Sequence, residues 1–182
     1  KRLRFFLGAL ALAGAGAQAA GNPVPEGFRV APLARASLFV RDLDEALALY
    51  RDILGLRVRV DRDFADERFN QVLGTRGLTA RARILQSGDT VHGNVGLFEL
   101  GGDDRSGLPA ASVATAAATG DVALVFITND MAGIAAKVTA AGYVVIAPPM
   151  VLFTDPALTV QPLEMLFRDR DGVLVNLIQP GR

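Results

Sequence analysis

The sequence contains no cysteine and only one histidine, His92. Without thiols there is no disulfide, thiolate metal site, cysteine nucleophile or lipid-modified cysteine anchor, so the redox compartment must be read from other features. An excess of one charge is lacking too: lysine plus arginine and aspartate plus glutamate each number 19. No global basic field attracts phosphates, and no nucleic-acid partner is expected. The motifs GxSxG, P-loop, HExxH and the glycine-rich dinucleotide fingerprint are all missing. A Ser/His/Asp triad would have to use His92, and no serine stands in a recognisable motif to partner it.

What is present is enough apolar material for one sizeable core: 51% of 182 residues are hydrophobic. Residues 1–20 read as a secretory signal. Lys1, Arg2 and Arg4 form the positive end, Phe5 to Ala15 the apolar run, and Ala17, Gln18 and Ala19 an A-x-A cleavage pattern. The run is shorter than the roughly 20 residues that span a bilayer, and no later stretch is apolar for long enough. The expected location is the periplasm or the outside of the cell, with no membrane attachment after cleavage.

Residues 21–32 form an extended leader containing Pro23 and Pro25, and residues 33–180 a single domain in two halves, 33–100 and 121–180, joined by a Gly/Ala/Ser/Thr-rich hinge at 101–120. In the first half a β-prone stretch at 34–40 precedes an amphipathic helix, which Asp42 caps and Gly55 ends. Strands follow at 56–60, 80–86 and 94–100, with a connection at 61–77 holding a short helix. The second half repeats the order: a strand at 122–127, a helix from Asp130 to Ala141 ended by Gly142, a strand at 143–147 stopped by Pro148 and Pro149, and a hairpin of 163–167 and 173–178. Asp169 and Asp171 read as turn formers within it. This pattern predicts an α+β fold with helices on one side of curved sheets and a cavity on the other.

SLFVRDLDEALALYRDILGLRV (Ser37 to Val58) resembles the opening strand, helix and glycine of the vicinal oxygen chelate superfamily, that of the glyoxalases and bleomycin-resistance proteins. NVGLFEL (Asn94 to Leu100) resembles its fourth strand, and FRDRDGVLVNLIQ (Phe167 to Gln179) its last hairpin. The resemblance implies two βαβββ modules whose mixed sheets surround a cavity.

In metal-using members, four cavity side chains, usually two histidines and two glutamates, hold a divalent cation that polarises the substrate's oxygens. Carried over singly, those positions fall on Arg35, Glu99, Ala123 and Asn176. Only Glu99 is a matching ligand, since arginine stays protonated and donates no lone pair. The expectation is a metal-independent cavity and no cofactor. Asp121, two residues before Ala123, is the nearest compensating carboxylate, and His92 lies off the cavity set by spacing. Strand parity adds Ser37, Phe39, Leu97, Val125, Leu174 and Ile178 to the cavity face.

Two readings of Arg35 remain open. Its guanidinium either takes the cation's place, pairs with Glu99 and offers its other donors to an anionic or carbonyl-bearing ligand, or it points outward to water. Three functions follow. The first is small-molecule binding without metal. The second is a metal-dependent enzyme, a glyoxalase-like lyase or extradiol-type dioxygenase, using Glu99, Asp121 and His92. The third is a degenerate member acting through a protein partner. The resemblance also implies a homodimer, with modules paired within or between chains.

Overall fold

A computed structural model describes residues 24–101 and 114–182. The segment read as a signal and most of the hinge lie outside the described residues. β1 (Arg35–Val40) leads into α1 (Leu43–Leu47), which continues as a π-helical stretch, Ala48–Ile53. β2 (Arg57–Phe64), α2 (Glu67–Leu73), β3 (Thr79–Gln86) and β4 (Asn94–Gly101) complete the first half. The second comprises β5 (Ala123–Ile127), α3 (Met131–Ala140), β6 (Val144–Val151), β7 (Leu163–Arg168) and β8 (Leu174–Gln179). Each half is a four-stranded mixed sheet, ordered β1-β4-β3-β2 and β5-β8-β7-β6, in which only the β1–β4 and β5–β8 pairs are parallel. The expected α+β architecture of two βαβββ modules is therefore the one observed. Among the described residues no helix is long and apolar enough to cross a membrane.

Both helix starts use the aspartate picked out in the sequence. The Asp42 side chain accepts from the amides of Asp44 and Glu45, and that of Asp130 from the amide of Gly133. Gly55, at φ +77°, supplies the left-handed turn that releases the chain from the π-helical stretch. The apolar faces of α1 and α3 meet in one core shared by the modules, where Leu43, Leu47 and Tyr50 join Met131, Val138, Phe167 and Leu177.

The β7–β8 turn fastens the modules further. Asp169 accepts from its own turn, through the amides of Asp171 and Val173, and from the hydroxyl of Tyr50 at 2.8 Å. Asp171 pairs with Arg41 at 2.9 Å. Arg170 donates to the carbonyls of Ala141 and Gly142 at the end of α3 and lies over the Tyr143 ring. The two aspartates are turn formers, as expected, and bonds between modules as well.

Two expectations need correction. Pro148 and Pro149 do not end the strand at 143–147, because β6 runs through them to Val151. It is an edge strand, with a register shift between Ala147 and Met150, so the missing proline amides cost no ladder bonds to a second neighbour. Nor do all helices share one side. α2 lies on the other face of the first sheet, where Phe69 and Leu73 pack with Phe64, Ala80, Ala82, Phe98 and Leu100.

Candidate functional site

The sheet faces turned away from the shared core carry the candidate site. In the first sheet, Leu38, Val40, Val95 and Leu97 point into the core beneath α1. By strand alternation Arg35, Ser37 and Phe39 of β1, with Gly96 and Phe98 of β4, lie on the opposite, open face. The ring contacts agree: Phe39 and Phe98 are 5.7 Å apart, and the Arg35 guanidinium sits 5.4 Å from the centre of the Phe98 ring. Arg35 Nε donates to Ser37 Oγ at 3.0 Å.

Gly96 makes this arrangement possible. A Cβ there would stand 2.8 Å from Arg35 Cδ and 2.9 Å from a Phe98 ring carbon, so the arginine lies flat across the strand only because that position has no side chain. Partial burial lowers the Arg35 pKa from its ordinary value. Among the described residues Arg35 has no carboxylate partner. It neither points straight to water nor pairs with Glu99.

Glu99 and Leu97 were expected on the cavity face, and both lie on the other side. Leu97 is fully buried in the core. Glu99 accepts from the Leu43 amide at the start of α1 and pairs with Arg81 of β3 at 3.0 Å. The register explains why Arg35 cannot reach it. Arg35 stands opposite Asn94 and Glu99 opposite Val40, which separates them by about 16 Å along the strand as well as by the sheet itself. β4 is apolar on both faces, Val95 and Leu97 against Gly96 and Phe98, so alternation alone left its parity ambiguous. The available signal was a glycine in mid-strand.

The internal repeat supports the same correction. The offset that places Glu99 on Gln179, each accepting from the first amide of a helix, also places Gly96 on Asn176. In the second sheet Ala123, Val125, Asn176 and Ile178 share the open face, since Leu124, Phe126, Val175 and Leu177 face the core. Asn176 Nδ2 makes a long 3.4 Å bond to the Met165 carbonyl. Leu174 is buried beside Arg168. The Arg168 side chain, 1% exposed, donates to the carbonyls of Ala114, Ala116 and Gly172 and pairs with Asp121 at 2.6 Å, holding the end of the hinge. The hydrogen bond from Arg168 keeps Asp121 below the usual carboxylate range, committed to this pair.

As a donor set for a divalent cation, Arg35, Gly96, Ala123 and Asn176 do not fit, for together they supply one neutral amide oxygen. Among the described residues no three histidines, aspartates or glutamates come together. His92 lies in the β3–β4 turn, its amide bonded to Thr90 Oγ1. A shallow recess of about 550 Å³ lies elsewhere, between Leu54 and the end of β8, lined by Ile127, Thr128, Asn129 and Gln179 to Arg182. It gathers no group of acids, bases or nucleophiles.

The model of the Glyoxalase/Bleomycin resistance protein/Dioxygenase superfamily matches residues 32–177. Comparison with curated proteins finds no match. Among solved structures, a glyoxalase family protein from Bacillus cereus is similar with a TM-score of 0.66 at 17% identity, over 85% of this chain and 97% of that one. Glyoxalase I from Zea mays is similar with a TM-score of 0.55 at 18% identity, over 82% of this chain but 47% of the maize chain, so this protein spans about half of that enzyme. At these identities the likeness is one of fold. With the family model covering both modules, the chain belongs to the glyoxalase/bleomycin resistance protein/dioxygenase superfamily.

Proposed function

We propose that this protein binds a small organic molecule on the open faces of its sheets without a metal ion. The observation that carries the reading is the donor set: the open face of the first sheet presents a half-buried arginine laid over a glycine, and among the described residues no group of histidines, aspartates or glutamates assembles to hold a cation. A guanidinium cannot ligate a cation, but it recognises carbonyl and carboxylate oxygens.

The working form is a homodimer whose modules pair between chains. The modules share their core on the helix side, while Phe39, Val125 and Ile127 on the open faces are 51%, 58% and 76% exposed. β1 and β5, which carry them, are both edge strands, and a second copy would cover Val125 and Ile127 and close over the ligand, leaving Phe39 to the ligand itself. The pattern of residues 1–19 supports export to the periplasm or beyond.

The test is a thermal-shift screen of small organic compounds run with chelator and, in a parallel arm, with added divalent metal, each beside Arg35→Ala. Compounds that raise the melting temperature of the parent chain but not of the variant support the reading. Hits that need added metal overturn it.

A further inference from the structure

Resting on that reading, we propose that the ligand of the Arg35 face is an organic carboxylate with a flat apolar body. The side chain is already organised for one. Ser37 holds Nε at 3.0 Å, the Phe98 ring lies beneath the guanidinium at 5.4 Å, and Gly96 leaves room for the aliphatic stem to lie flat. With Nε engaged, the two terminal nitrogens remain. Neither makes a hydrogen bond to a described residue. Two parallel N–H donors on one edge match the two oxygens of a carboxylate end-on, and a guanidinium held by packing loses little entropy on binding it.

The apolar half of the ligand follows from what flanks that edge. Phe39, half exposed and tilted at 35° to Phe98, offers an uncovered ring next to the arginine, with Ile84 beside Gly96 on the neighbouring strand. A planar hydrocarbon held by its carboxylate on Arg35 would stack on Phe39 and cover it. A small inorganic anion would leave that ring in water.

The sequence has no tryptophan and two tyrosines, so a naphthalene probe can be followed by its own fluorescence. Titrating the full chain with 2-naphthoate and with its neutral isostere 2-naphthamide separates charge recognition from apolar burial. The acid is expected to bind with a Kd below about 1 mM and at least about tenfold tighter than the amide. Arg35→Gln should remove that preference and Arg35→Lys keep part of it. Gly96→Ala, whose methyl group meets both the Arg35 stem and the buried Phe98 ring, should also remove it, and Arg35→Gln, which leaves the Phe98 packing in place, separates loss of the site from loss of packing.

Equal binding of acid and amide overturns the carboxylate assignment while leaving the cavity reading intact. A preference for the acid that survives both Arg35→Gln and Gly96→Ala overturns the site. If neither probe binds, the inference fails, and the thermal-shift screen still decides the broader reading.

Discussion

Glu99 and Gln179 perform the same task in the two halves. Glu99 Oε2 accepts from the Leu43 amide and Gln179 Oε1 from the Met131 amide, each at 3.1 Å, so the last inner strand of each module caps the helix that follows its first. A carboxylate at a family ligand position in the sequence is thus a helix cap in the structure.

Glu99→Ala should therefore cost about 1–2 kcal/mol of stability in urea denaturation and leave ligand affinity unchanged. Glu99→Gln reproduces the second module's solution. It should keep most of that stability while losing the ion pair with Arg81, whose side chain is 44% exposed. A large loss of ligand affinity in either variant would return Glu99 to the site.

The repeat was legible in the sequence because its punctuation is physical: Asp42 and Asp130 cap, Gly55 and Gly142 end helices, and Asp169 to Gly172 turn. Face assignments were legible wherever one face is apolar and the other is not. Leu97 and Glu99 were placed on the wrong face because both faces of β4 are apolar, and β5, with Ala123, Val125 and Ile127 on one face and Leu124 and Phe126 on the other, gives alternation no more to work with. The side of the sheet covered by α2, and the bonds that the 169–172 turn makes to the first module, depend on contacts between residues far apart in sequence that no local pattern encodes.

Tyr50→Phe tests the bond between modules. Burial raises the Asp169 carboxyl above its usual value, and the Tyr50 hydroxyl acts in the opposite direction. A raised carboxyl binds its proton more tightly in the folded chain, so this group's contribution is complete below the ordinary 3.8 and falls as pH rises through the folded value. Removing the hydroxyl raises Asp169 further. The loss of stability, about 1–2 kcal/mol at neutral pH, should be smaller at about pH 3.5, where the folded carboxyl is protonated and the unfolded one mostly so. Urea midpoints of parent and variant at the two pH values check the sign.

Arg168→Met removes a buried cation that serves three carbonyls and Asp121. About 3 kcal/mol of destabilisation is expected, with faster amide exchange concentrated at residues 114–121. Uniform acceleration across both modules would contradict the local role.

Val125→Arg places a charge on the open face of β5, where the parent residue is 58% exposed. Light scattering should report a dimer for the parent chain and a monomer of unchanged circular dichroism for the variant. A parent chain that is monomeric at all concentrations would dispose of pairing between chains.

The central claim is that Arg35, and not a metal ion, makes the chemistry of the open face. Its most direct test is the metal content of the chain purified without chelator, measured by plasma mass spectrometry alongside the affinity for 2-naphthoate before and after chelator treatment. The account predicts substoichiometric zinc, nickel, manganese and iron, with the affinity unchanged. One equivalent of any of these metals, with binding lost on chelation, would contradict it and put a Lewis-acid enzyme in its place.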